Sequence, residues 1–216
     1  MAPAVAGHVL GTDENGRDVV SRLLFGLRTS LGIAAAAALI ATAIGAMVAT
    51  LARALPWFGG RGALSTIGIR PFAAFPFVLA AVSVLVAKFH GTGVVSPLAM
   101  TLIIAAVSWP AIVPAFRART GATLGGVADL AACALLLEVT QSSVGFGVQP
   151  PTPSLGNMLV NVQSNITVAP WAAIVPCIVM IVLLFALYAV GDELRDQGPT
   201  ASEASGMKPH SAHEPS

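Results

Sequence analysis

The sequence predicts an all-α fold: a polytopic membrane helix bundle of about five transmembrane helices, preceded by an amphipathic interfacial helix. Three observations predict it. Of 216 residues, 56% are apolar and only 10% are charged, whereas a soluble domain carries about a quarter charged residues. Mean hydropathy is +0.82. The apolar residues also gather into runs near the length of roughly 20 that crosses ~30 Å of hydrocarbon. A soluble globule cut from this composition would have too few charges to cover its surface. With a net charge of +1 and no basic run, nucleic-acid binding and disorder are excluded as well. Cys133 and Cys177 lie in apolar stretches and read as small core residues, not as a disulfide framework.

The first 29 residues hold the interfacial helix. Thr12 is placed to cap a helix from about Asp13 to Leu27. Val19, Val20, Leu23, Leu24 and Leu27 share one face of it, and Asp18 and Arg22 are spaced for a weak i,i+4 pair. Such a helix lies in the membrane surface before the chain turns inward. Met1 to Gly7 has neither the positive charge nor the apolar core of a secretory signal.

Ser30 to Leu51 is the first span and contains no ionisable group. Its Gly32, Gly45 and Ala49 let neighbouring backbones come close, so it packs within a bundle. Pro71 to Ala87 is a shorter second span, kinked by Pro76. Pro97 to Phe116 is the third, with Pro110 and Pro114 near its end. Ala122 to Val144 is the fourth and carries Asp129 and Glu138. Ala169 to Val190 is the fifth, with Pro176 inside. The domains expected are an extracytoplasmic segment over 1–29, a transmembrane domain over 30–191 and a cytoplasmic, disordered tail over 192–216.

Orientation follows from the basic residues. With five spans, Arg17, Arg22, Arg28 and Lys88 lie on one side. Arg53, Arg61, Arg70, Arg117, Arg119, Arg195 and Lys208 lie on the other. The larger set marks the cytoplasmic side, so the N-terminus is expected outside and the C-terminus in the cytoplasm.

Few residues are candidates for chemistry, and no cofactor or metal site is implied. His210 and His213 lie in the solvated tail. No Gly-x-x-x-x-Gly-Lys phosphate loop is present, so a nucleotide site would have to come from another subunit. Asp129 and Glu138 are the acids within a span, where a carboxylate usually faces a cavity or a partner. Nine residues apart, they are about half a turn out of phase and point to opposite faces. Each is a candidate for a pathway or structural role. The stretch Gly145 to Asn157, GFGVQPPTPSLGN, combines an extended backbone set by Pro150, Pro151 and Pro153 with glycines that permit tight turns. It suits a docking surface, a lid or a stiff connector.

Two segments carry a family resemblance. His8 to Gly26, HVLGTDENGRDVVSRLLFG, resembles the segment entering the second membrane helix of dipeptide/oligopeptide-type ABC importer permeases. The matching positions include Gly11, Thr12, Asp13, Gly16, Arg17, Asp18, Ser21 and Arg22. Glu138 to Leu159, EVTQSSVGFGVQPPTPSLGNML, resembles their extracytoplasmic loop before the last helix, through Gln149, Pro150, Pro151, Thr152, Pro153 and Ser154. Ala169-Pro170-Trp171 and Gly191 to Asp196 are similar to the family's last helix and its exit.

The resemblance implies the C-type permease of a bacterial peptide importer in the cell (inner) membrane. Its implied partners are a second permease subunit, cytoplasmic ATPase subunits, an extracytoplasmic peptide-binding protein and membrane lipid. The family has a further helix ahead of the His8 segment, which this chain starts too late to include. The family's EAA-type coupling loop is also expected to be missing, because only Phe116-Arg117-Ala118-Arg119-Thr120-Gly121 joins the third and fourth spans. A non-transporting or degenerate membrane scaffold that has lost ATPase coupling is the alternative. A proton-driven transporter using Asp129 or Glu138 is disfavoured because the two acids face apart.

Overall fold

The computed structural model describes residues 10–12, 16–54, 95–113, 116, 122–160 and 170–196. They form four helices: α1 (Val19–Ala54), α2 (Pro97–Ser108), α3 (Ala122–Ser143) and α4 (Trp171–Asp196). A 3-10 turn over Trp109–Ala111 follows α2. Extended pairing among the described residues is limited to two isolated bridges, Thr12 with Asp18 and Val95 with Val148. Among the described residues, three helices are long and apolar enough to cross a membrane: Val19–Ala52, Leu124–Ser143 and Trp171–Asp196. The fold is therefore an all-α membrane bundle. The expected span Pro71 to Ala87, the joining residues 117–121 and the tail beyond Asp196 lie outside the described residues.

α1 runs unbroken for 36 residues, or ~54 Å at 1.5 Å per residue. The expected separate interfacial helix and first span are thus one element. No residue from Val19 to Ala54 is a proline, so no backbone N–H is missing and nothing forces the chain to turn. The cap also differs from the expectation at Thr12. Asp18 accepts from the Ser21 backbone N–H and hydroxyl, both at 2.8 Å, and the helix starts at Val19. An aspartate at this position satisfies an N–H that the first turn leaves unpaired.

α2 is shorter than the span expected to reach Phe116. Ser96 caps it, accepting from the Ala99 N–H at 3.2 Å, and Pro97 sits at its first turn, where a missing N–H costs nothing. The other end stops at Ser108 and tightens through Trp109-Pro110-Ala111, because Pro110 has no N–H to continue the α pattern. With its turn, Pro97–Ala111 is an apolar helix below spanning length. At the C-terminal end of the chain, α4 continues to Asp196, past the boundary at Gly191 that hydropathy suggested.

α3 is the centre of the bundle, packed against α1 on one side and α4 on the other, while α2 lies mainly on α1. Ala34, Ala37, Ala38 and Ala41 form a buried stripe on α1 and meet Met100, Ile104, Leu130, Ala134, Leu135 and Val139 in one core. Small side chains at helical spacing bring the backbones together. At Gly45 a Cβ would overlap Ile112 and lie 3.1 Å from the Trp109 carbonyl oxygen. On the outer face of α4, Ile174, Ile178, Val182 and Phe185 are exposed. Lipid can cover such a stripe, and a water-facing surface rarely carries one.

This packing gives the bundle two distinct ends. The start of α1, the end of α3 and the 144–160 loop share one, called the loop end here, since Gly26 touches Ser154 and Leu155. The start of α3 and the end of α4 share the other, where Gly125 touches Gly191 and Arg195. Arg17, Arg22 and Arg28 therefore lie toward the opposite end from Arg195, the relative sidedness that the odd number of spans demanded.

Candidate functional site

The loop end is organised by one buried carboxyl. Glu138 sits in the last turns of α3 with no solvent exposure. One turn later, the Ser142 hydroxyl donates to Glu138 Oε1 at 2.8 Å and accepts the Val148 N–H at 3.0 Å. From α1, the Ser30 hydroxyl accepts the Leu155 N–H at 3.1 Å. Within the loop, the Ser154 hydroxyl accepts the Asn157 N–H at 3.1 Å. Ser30 and Ser154 flank the same carboxyl that Ser142 holds, and all three serines are fully buried. Glu138 Oε2 has no hydrogen-bond partner among the described residues.

The loop is therefore seated in the bundle on both of its arms. Val148, Ser154, Leu155 and Asn157 are buried, and the Asn157 amide donates to the Thr152 carbonyl at 2.6 Å. Two glycines make the seat possible. A Cβ on Gly147 would lie 2.6 Å from the Ser142 nitrogen, and one on Gly156 would lie 2.5 Å from the Val139 carbonyl oxygen. What faces out is the tip. Pro150 and Pro151, joined by a cis peptide bond, are exposed, while Gln149, Thr152 and Pro153 are half-buried. Beside Pro153, a groove of ≈ 540 Å³ opens between α1 and α2, lined by Phe25, Arg28, Gly32, Leu98 and Thr101.

The segment ahead of α1 forms a hook on the same end. Gly11 and Gly16 have φ of 72° and 73°, the left-handed region that favours glycine. Between them Thr12 pairs with Asp18, and the Val19 N–H donates to the Gly11 carbonyl at 3.2 Å. Arg17 is exposed and Arg22 half-buried; Asp13 lies outside the described residues.

Asp129 is at the far end of α3 and forms an ion pair with Arg195 of α4. The half-turn offset between the acids appears directly: Glu138 faces α1 and the loop, Asp129 faces α4. Sequence reasoning missed Ser30, Ser142 and Arg195. Ser142 carried a usable signal, since it lies four residues from Glu138 on the same helical face.

Long apolar helices joined through small residues, with irregular backbone buried against protein, define a multi-pass integral membrane protein. No family model matches the chain. It is 30% identical to the di/tripeptide transport system permease protein DppC of Pseudomonas aeruginosa, covering 88% of this chain and 71% of that protein. It is 28% identical to the oligopeptide transport system permease protein OppC of Lactococcus lactis, over 90% of this chain and 76% of the relative. The glutathione transport system permease protein GsiD of Pectobacterium atrosepticum is 27% identical over 88% and 72%. The chain belongs to the family of dipeptide/oligopeptide ABC transport permeases of DppC/OppC type. It is a transmembrane permease and not itself an enzyme. The match to the Pseudomonas protein runs over 223 positions, longer than all 216 residues of this chain, yet uses only 88% of it. The relative thus has intervening residues that this chain lacks.

Proposed function

We propose that this chain is a permease subunit of an ATP-driven bacterial peptide importer, lining a translocation pathway together with a second permease. The observation that carries this reading is the match across 88% of the chain to a di/tripeptide permease. Peptides are the cargo that the DppC and OppC relatives are named for, and short peptides such as glutathione fall in the same class. With no phosphate loop in its sequence, the chain takes its energy from cytoplasmic ATPase subunits.

In this reading the protein sits in the inner membrane with the loop end outside and the C-terminus in the cytoplasm. The excess of basic residues assigned to the Arg195 side supports that orientation. The exposed tip at Pro150 and Pro151 then meets an extracytoplasmic peptide-binding protein. Glu138 and Asp129 fasten α3 at its two ends, a structural role rather than a paired proton site.

The test is uptake of a labelled di- or tripeptide in cells lacking this chain and then regaining it. Restored uptake that stops on ATP depletion is the expected result. The scaffold reading applies instead if the residues that the Pseudomonas relative has and this chain lacks fall at the short 117–121 joint, where the family's ATPase-docking loop is expected. Under that reading the chain remains in the membrane, binds a companion permease and restores no uptake.

A further inference from the structure

Hydroxyl groups elsewhere in these helices show a common habit. Thr29, Thr42, Thr101, Ser108 and Thr140 each donate to the carbonyl four residues earlier in their own helix, at 2.6–3.0 Å. That is the ordinary resting place of a helical serine or threonine proton. Ser142 departs from it and gives its proton to Glu138. The reason lies in the balance of donors and acceptors at the loop end. Val148, Leu155 and Asn157 bring three backbone N–H donors, and Ser142, Ser30 and Ser154 accept them. Each serine still has one O–H to place, in a site closed to water. A carboxylate only accepts, with two oxygens and about four lone-pair directions, so it can serve all three hydroxyls at once.

From this convergence we infer that Glu138 is the positioning residue of the external loop: bonded to Ser142 and flanked by Ser30 and Ser154, it sets the three serines whose hydroxyls capture the loop backbone. It touches no cargo. It acts through Ser30, Ser142 and Ser154 on Val148, Leu155 and Asn157, and so on the exposed turn at Pro150 and Pro151. The inference rests on the reading of that tip as the docking surface for a peptide-binding protein, which gives the fixed shape its use. A glutamine at this position keeps the size but adds two N–H donors to a site already full of them. An aspartate keeps the acceptors one methylene further back.

Hydrogen exchange on the full chain in lipid nanodiscs reads the three amides directly. Glu138→Gln should speed exchange at Val148, Leu155 and Asn157 by about tenfold or more, with Glu138→Asp intermediate and the α2 amides unchanged. Ser30→Ala should loosen Leu155 alone, and Ser154→Ala should loosen Asn157 alone. Glu138→Asp carries the test if Glu138→Gln does not fold, the two serine variants showing that each amide reports on its own bond. Unchanged exchange at the three amides in every variant overturns the assignment. In the assembled transporter, Glu138→Gln should also raise several-fold the binding-protein concentration that half-stimulates ATP hydrolysis, with the saturated rate retained. Loosened amides with unchanged half-stimulation uphold Glu138 as the positioning residue and overturn the docking role of the tip.

Discussion

Arg195, four residues past the α4 glycine that touches α3, pairs with Asp129 of α3 and also donates to Asp192 at 2.9 Å on its own helix. Its stem lies over Gly125, where a Cβ would come within 2.5 Å of Arg195 Cγ. The pair is partly open to solvent, with the arginine side chain 39% and the aspartate 27% exposed. Its energy is accordingly that of a screened ion pair, about 0.2–1 kcal/mol.

A double-mutant cycle of Arg195→Ala and Asp129→Asn should return a coupling of that size in detergent unfolding, smaller at high salt. Additive single-mutant effects would show that the pair stabilises nothing.

The glycines of α1 separate by their surroundings. At Gly32 nothing lies within 4 Å of a built Cβ, while at Gly45 Ile112 and the Trp109 carbonyl occupy the space. Gly32→Ala should be neutral or stabilising by up to ~1 kcal/mol, from helix propensity. Gly45→Val should cost about 1–3 kcal/mol by forcing α1 away from the turn after α2. Thermal unfolding of the two variants side by side checks this. Equal effects would mean that the close approach at Gly45 is absent.

Gly147→Ala and Gly156→Ala should each lift an arm of the loop, because the added methyl has no room against Ser142 or Val139. Proteolysis of sealed vesicles should then cut within 144–160 faster than in the unsubstituted chain, leaving the helices intact. Unchanged cleavage would place the arms away from α3.

Sidedness has its own test. With Cys133 and Cys177 replaced by alanine, Ser21→Cys should react with a membrane-impermeant maleimide on intact spheroplasts. Glu193→Cys should react only after permeabilisation. The reverse pattern would invert the proposed orientation, and labelling of both from one side would contradict the helix arrangement.

Much of this architecture was legible in the residues. The α3 boundaries at Ala122 and Ser143 follow from hydropathy, and the opposed acids follow from helical phase. Two glycines of the segment ahead of α1, Gly11 and Gly16, proved to be left-handed turns. The rest depended on partners distant in sequence. Ser30 and Leu155 are bonded across 125 residues, and Asp129 meets Arg195 only because α4 crosses α3 at a pair of glycines. No local periodicity encodes either contact. The early stop of α2 was signalled by Pro110 but needed the geometry to show that the helix tightens there. Nothing in composition distinguished a loop that stands off the membrane from one seated in the bundle.

Asp129 and Glu138 lie nine residues apart on one uninterrupted helix, ~14 Å along its axis, each tied to a different neighbour. A tilt of α3 that follows α4 at one rim is delivered as an opposite swing at the other, under the proline tip. The spine of the bundle thus behaves as a see-saw with both seats occupied: to rock, it has to carry Arg195 and the serine knot with it, or let one of them go.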